Sequence, residues 1–327
     1  MGEDAELARR FGAGLLTLED QSYPRLLRLS SDPPPRFFLR GRLIAEDAFA
    51  IAVVGSRRAT PYGLEVATRI ASGLAAAGFT VVSGLARGID AAAHRGALQA
   101  GGRTLAFLGS GLNRIYPAEH LKLAEQIAAR GAVLSEFPFG EAPFRGHFPR
   151  RNRAIAWSSW ATVVVEAAKE SGSLITASLA LDEGRAVYAV PGPVDAPNAF
   201  GTNALLRDGA LVCRSAADII EDLAPQLVEA ASRIAAAREA VEAPHRPDEA
   251  AGRMEGPPGG LEGAAGGRPS DDERRVLELL PATRGIGIEQ LGEACGLPPG
   301  RLEAALLQLE IRGVIRQLPG RRFMAKS

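Results

Sequence analysis

The chain is short of several residue types, and each shortage narrows its chemistry. It holds two cysteines in 327 residues, Cys213 and Cys295, far apart and without metal-ligand spacing. That excludes a disulfide scaffold and a cysteine-based zinc site, and it suits a reduced, cytoplasmic setting. The four histidines, His94, His120, His147 and His245, do not cluster. No Gly-x-Ser-x-Gly, His-Glu-x-x-His or Cys-x-x-Cys run occurs, so nucleophile-elbow, zincin and dithiol chemistry have no foothold. The expectation is a protein without catalytic residues, metal or cofactor. Lysine is almost missing: Lys122, Lys169 and Lys326 are the only ones among 38 basic residues, which 38 acids balance to a formal net charge of zero. The scarcity fits an arginine-favouring codon composition. A neutral chain argues neither for nor against a nucleic-acid partner, so local patches must decide. No apolar run approaches membrane-spanning length, and residues 1–10 are too charged for a signal peptide, so no membrane association is expected.

What is present is enough for a large core plus a small second domain; the apolar fraction is 46%. Short apolar runs at 51–54, 79–82, 104–108, 132–134, 162–165, 186–190 and 211–213 alternate with amphipathic segments such as the face of Leu64, Ala67, Ile70, Ala71 and Leu74. Uniformly apolar strands separated by helices predict an α/β domain, a doubly wound, Rossmann-like parallel sheet covered on both faces. Residues 46–222 are assigned to it, with 1–45 as a lead-in. Residues 223–240 read as an alanine-rich helix, and 241–269, dominated by Gly, Pro, Ala and Glu, as a flexible linker. Residues 270–327 turn periodic again: helices at 271–280, 288–295 and 299–312, then a β-like run at 314–324 broken by Pro319-Gly320. Three helices and a hairpin predict a small C-terminal winged helix-turn-helix domain.

The densest motif is Val53-Val54-Gly55-Ser56-Arg57-Arg58-Ala59-Thr60-Pro61. An apolar strand ends in a glycine turn, and Thr60 as N-cap with Pro61 as first helical residue opens a helix. Free backbone N–H groups and the positive dipole end would then face one spot, and Arg57 would grip a phosphate there with its planar fork. The spacing is neither Gly-x-Gly-x-x-Gly nor a P-loop, and no acid ends the second strand to hold a ribose. The expectation is a phosphate binder that is not a standard NAD or ATP site.

Other small, polar and basic residues fall at strand carboxyl ends, where α/β sheets bind ligands: Ser83-Gly84 with Arg87, Gly109-Ser110-Gly111, Ser135-Glu136 and Pro191-Gly192. Phe144 to Arg153 carries four arginines, no acid and two interleaved phenylalanines, Phe144 and Phe148. Arg150, Arg151, Asn152 and Arg153 with Phe144 and Phe148 suit a single-strand site, in which arginines neutralise phosphates and aromatics stack bases; the alternative is a loop that pairs with acids elsewhere. Lys169 and Ser171-Gly172-Ser173 with Thr176 offer a second phosphate cradle, or plain N-capping. Asp90 and His94 lie one helical turn apart; a structural hydrogen bond between helix and loop is favoured over acid–base work.

Taken together these segments resemble the DNA-processing protein A (DprA/Smf) family. The matching motifs are Val53–Arg57, Ser83–Asp90 with His94, Gly109–Leu112 with Tyr116-Pro117, Ser135-Glu136, Phe148–Arg153, Ser171–Ser173 with Thr176, Pro191-Gly192 and Gly201-Thr202-Asn203 with Gly209-Ala210. They run in family order over roughly residues 23 to 215. The resemblance implies an extended Rossmann domain that binds single-stranded DNA, a homodimer, and delivery of RecA to the strand in natural transformation or recombination. It also implies a C-terminal winged helix in many members. Trp157 stands where the family usually has glycine, and little of the N-terminal helical domain of many relatives is expected. Pro191-Gly192 and Gly201-Thr202 also look like nucleotide phosphoribohydrolases, but Leu205 stands where those need the catalytic glutamate. A transcription regulator working through the winged helix is the third reading. Against it, the helix at 299–312 mixes Arg301 and Arg312 with Glu303 and Glu310, although the run Arg312, Arg316, Arg321, Arg322 and Lys326 would suit a nucleic-acid backbone or a protein partner.

Overall fold

The computed structural model describes residues 6, 8–227, 270–281, 286–297, 299–311, 314–318 and 322–325. The expected linker at 241–269, the helix beyond 227, and Pro319-Gly320, Arg312, Arg321 and Lys326 lie outside these residues. The chain divides into two compact units, Met1–Leu223 and Ala224–Ser327.

The first unit runs β1 (Gly14–Thr17), α1 (Arg25–Arg28), β2 (Arg36–Gly41), β3 (Ala50–Val54), α2 (Pro61–Ala76), β4 (Thr80–Ser83), α3 (Ile89–Gln99), β5 (Thr104–Phe107), α4 (Leu121–Arg130), β6 (Ala132–Ser135), α5 (His147–Trp157), β7 (Ala161–Val164), α6 (Gly172–Asp182), β8 (Ala186–Ala189), α7 (Phe200–Arg207) and β9 (Leu211–Val212). Nine strands form one sheet in the order β1-β2-β6-β5-β4-β3-β7-β8-β9. Pairing from β6 through β9 is parallel. The stretch β5-β4-β3-β7-β8 is the Rossmann order, with its switch point between β3 and β7.

Period-two alternation explains why the strands are apolar throughout. Leu105 and Phe107 enter one core cluster with Ala154, Ile155 and Trp157 of α5 and Ala177 and Ala180 of α6. Ala106 joins the opposite cluster with Ala91 of α3 and Leu123, Ala124 and Ile127 of α4. Each side of the sheet is thus covered by helices. Fully burying each large side chain, such as Phe107, contributes about 1.5–3 kcal/mol. Trp157 fits where a smaller residue was anticipated: it is buried, and its indole N–H donates to the Leu179 carbonyl at 2.9 Å.

The lead-in at 1–45 proves to be part of the sheet. β2 pairs antiparallel with β6, and β1 pairs antiparallel with β2. Its polar, Pro-rich flanks hid the strand at Arg36–Gly41, which buries Phe37 and Phe38.

The second unit contains α8 (Asp271–Leu279), β10 (Ile286–Gly287), α9 (Ile288–Cys295), α10 (Pro299–Ile311), β11 (Ile315–Leu318) and β12 (Arg322–Ala325). Ser270 and Glu273 form a capping box that starts α8. β10, β12 and β11 make a three-stranded antiparallel sheet beside a core of Val276, Leu291, Leu302, Leu306, Leu309 and Ile315. This is the winged-helix arrangement that the three-helix pattern predicts.

Candidate nucleic-acid interface

The carboxyl ends of β3, β4 and β5 converge on a cleft of about 190 Å³ lined by Arg57, Arg58, Gly84, Ala86, Arg87, Gly109, Tyr116, Pro117, Phe148 and Arg151. Four guanidinium groups and two aromatic rings therefore face one space. They are not equivalent.

Arg57 is exposed and makes no ion pair among the described residues; its guanidinium lies over the Phe148 ring at 4.8 Å. A cation held on an aromatic face stays available to a phosphate. Arg87 is exposed but gripped by Glu119 through two bonds of 2.8 Å. Those bonds raise the Arg87 pKa and lower that of Glu119. Arg151 is buried, donating to the carbonyls of Gly84 and Phe107 and to Asn152 Oδ1. Burial pushes its pKa down to about 10, against the favourable charge of Asp90. Gly84 has no room for a side chain because the Arg151 guanidinium lies against it, and a Cβ on Gly109 would stand 2.8 Å from the Phe148 ring.

The expected phosphate seat at the α2 N-terminus is already filled, which corrects the sequence reading. Thr60 does cap α2, accepting from the Gly63 N–H at 3.1 Å. The buried Glu166 carboxylate then takes the position in front of it: Oε2 accepts the Thr60 N–H at 2.9 Å and Asn198 Nδ2 at 3.3 Å, and Oε1 accepts the Thr60 hydroxyl. A Cβ on Gly63 would collide with that carboxylate. An internal anion thus lies against the helix end that an external phosphate would use. Replacing Glu166 with Ala strands the Thr60 N–H and the Asn198 amide, so a loss of about 1–3 kcal/mol is expected in urea denaturation.

The remaining sequence candidates divide by what they touch. Gly55 and Ser56 form the turn after β3; Ser56 Oγ accepts the Arg58 N–H at 3.1 Å. Ser83 is buried and donates to the Val53 carbonyl at 2.7 Å. Gly111 is buried in a turn, donating to the Glu141 carbonyl at 2.9 Å. Arg150 pairs with Glu136 at 3.1 Å, and Arg153 pairs with both Glu136 and Asp32. Asn152 is buried and donates to the Gly172 carbonyl at 3.2 Å. Ser171 N-caps α6 through the Ser173 N–H, Gly172 opens that helix, and Ser173 and Thr176 are buried. Lys169 and Phe144 are exposed and stand outside the lining of the cleft. Of the expected set, the cleft therefore unites Arg57, Gly84, Arg87, Gly109 and Arg151. It adds Arg58, Ala86, Tyr116 and Pro117, and of the two expected phenylalanines it takes Phe148 as its aromatic wall. The duplication Arg57-Arg58 was the available signal for Arg58. Tyr116, singled out with Pro117 only through the family resemblance, reaches the cleft from the loop after β5.

Asp90 and His94 act on the loop, the favoured reading of that motif. Asp90 Oδ2 accepts the N–H groups of Gly84 and Ala86 at 3.2 and 3.3 Å, and burial raises its pKa. His94 Nε2 accepts the Leu85 N–H at 3.3 Å. Burial, with the charges of His120, Arg151 and Arg95, lowers its pKa from 6.5 to about 3. Between those values the unfolded chain binds more protons at this residue than the folded one. Its contribution is therefore complete above about pH 6.5 and falls toward pH 3, by at most about 1.4 kcal/mol per pH unit. The stability difference between wild type and His94→Gln in urea should shrink as the pH drops from 7 to 5.

These features define a Rossmann-type α/β protein whose nucleotide-phosphate seat is closed from within and whose open cleft is cationic and aromatic, joined in one chain to a winged-helix unit. Comparison with known proteins makes that class specific. The family profile described as DNA recombination-mediator protein A matches residues 14–224, and that of the DprA winged helix domain matches residues 262–321. The chain belongs to the DprA/Smf family. It is 38% identical to protein Smf of Synechocystis over 95% of this chain and 80% of that one. DNA processing protein A of Streptococcus pneumoniae superposes with a TM-score of 0.63 at 39% identity, over 67% of this chain and 77% of that one. A Helicobacter pylori DNA processing protein A, described for its single-stranded DNA binding mode, superposes with a TM-score of 0.58 at 30% identity, covering 65% of this chain and 96% of that one.

Among the described residues no group of three His, Cys, Asp or Glu side chains is placed to hold a metal, and no helix is long and apolar enough to cross a membrane. Leu205, at the position where a phosphoribohydrolase carries its glutamate, packs partly buried against the core.

Proposed function

We propose that the chain binds single-stranded DNA without sequence preference in the cleft at β3, β4 and β5, and that it acts as a binding protein and not as an enzyme. The observation that carries this reading is the pairing of Arg57 with Phe148, beside Tyr116, in one open cleft. It offers a phosphate a free guanidinium and an unstacked base two aromatic rings. The family supports the finer reading, a cytoplasmic homodimer that protects incoming strands and delivers RecA to them in transformation or recombination. Titration of labelled single and double strands across salt tests the binding step. Single strands should bind more tightly, with affinity falling as salt rises because bound arginines release counterions. Equal or tighter duplex binding rejects the reading.

The winged helix is assigned an accessory role. Arg301, the described arginine of α10, is held by Asp272 through two bonds of 2.8 Å, which removes a cation from any groove-facing set. Deleting residues 241–327 is expected to leave single-strand affinity within about tenfold, or 1.4 kcal/mol. A larger loss moves the main site to the C-terminal unit.

A further inference from the structure

The segment Gly84–Arg87 supplies three residues to the cleft: Gly84, Ala86 and Arg87. Its centre is Leu85, the one non-glycine residue with positive φ among the described residues, at 56°. L side chains avoid that conformation, so something must hold it. Both halves of the Leu85 peptide are held by buried histidines. The N–H donates to His94 Nε2 at 3.3 Å, and the carbonyl accepts from His120 Nδ1 at 2.8 Å. His94 and His120 are both buried, and Leu85 is fully so.

The surrounding bonds decide the tautomers. The Thr104 hydroxyl donates its single proton to the Val81 carbonyl at 2.7 Å, so at 2.7 Å it accepts from His94 Nδ1–H. Nε2 of His94 is then a bare acceptor for Leu85. His120 Nδ1 faces a carbonyl and therefore carries its proton. One imidazole accepts and the other donates, across a single residue held in an unfavourable conformation. Release of Leu85 to negative φ would rotate the peptide units on both sides. That would swing the Gly84 carbonyl away from Arg151 and move Ala86 and Arg87 in the cleft wall.

We propose that His94 and His120 are positioning residues for DNA binding, a two-sided clamp that fixes Leu85 in the left-handed region and so holds the Gly84–Arg87 wall in its binding shape. The inference rests on the cleft reading above and adds residues that do not face the cleft.

The test measures affinity of the full chain for a labelled oligothymidylate, well below the melting temperature of each variant. His94→Leu and His120→Phe, which remove the acceptor and the donor, should each weaken binding about tenfold while the protein remains folded by circular dichroism. His94→Gln, which restores an acceptor, should recover part of the loss. Adding Leu85→Gly to His94→Leu should also recover binding, because glycine enters the left-handed region without a clamp; a purely structural role for His94 predicts no such recovery. Nitrogen NMR of the wild type should show His94 protonated on Nδ1 alone, a readout independent of whether any variant folds. Folded histidine variants with wild-type affinity, or a His94 protonated on Nε2, overturn the clamp. Arg57→Ala is the control: if it weakens binding and the histidine variants do not, the clamp alone fails, whereas no effect of Arg57→Ala removes the cleft reading and the clamp with it.

Discussion

Arg57→Ala should weaken single-strand binding by about 1.5–3 kcal/mol, the range for a charge-assisted hydrogen bond, with almost no change in thermal stability. The reason is its freedom. Arg57 is exposed, lies on the Phe148 face at 4.8 Å and makes no ion pair among the described residues. Binding therefore needs no internal bond to break. Arg57→Lys should recover only part of the affinity, since an ammonium keeps the charge but loses the planar fork and stacks less well on the ring. The measurement is a paired one, oligonucleotide titration beside thermal denaturation. A strongly destabilised Arg57→Ala variant would assign the residue to the scaffold and withdraw it from the interface.

Arg151→Met should do the opposite, lowering folding stability by about 3–5 kcal/mol, as breaking a buried charge from its partners does. Its guanidinium closes the gap between the β4 and β5 ends, donating to the Gly84 and Phe107 carbonyls and to Asn152 Oδ1. Methionine fills some of the volume but leaves those acceptors unmet and the buried Asp90 without the Arg151 charge that favours its ionised form. Chemical denaturation of the two variants side by side checks the contrast. If Arg151→Met folds as stably as wild type but loses affinity, Arg151 contacts the ligand directly and the division between the two arginines is wrong.

That division marks how far the site was legible. Arg57, Arg150, Arg151 and Arg153 are alike in the sequence, each an arginine near a glycine turn or an aromatic. The fold separates them by partner: Glu136 for Arg150, Glu136 and Asp32 for Arg153, backbone carbonyls for Arg151, and an aromatic face alone for Arg57. The acids were visible in the chain, but their pairing was not. Ser83 and Thr176 were likewise singled out as hydroxyls at strand ends and helix openings, and both turn inward and are buried.

The sequence by itself determined the parallel sheet and the winged helix, though not the antiparallel edge formed by β1 and β2. Apolar runs of strand length, helices with Thr60, Ser171 and Ser270 at their caps, and glycine turns at strand ends are local features, set within a few residues by periodicity and capping. They suffice for a doubly wound sheet and for a winged helix. Only the tertiary structure decided which of the site's charges remain free. Glu166 reaches Thr60 from 106 residues away and Glu119 takes Arg87 from 32, while Asp32 meets Arg153 across 121. A charge or helix end is available to a ligand only when no internal partner satisfies it first, and which partner arrives depends on how distant strands order in the sheet. That is why the glycine turn after β3 and the capped helix behind it were readable in the sequence, while the closure of the α2 N-terminus by Glu166 was not.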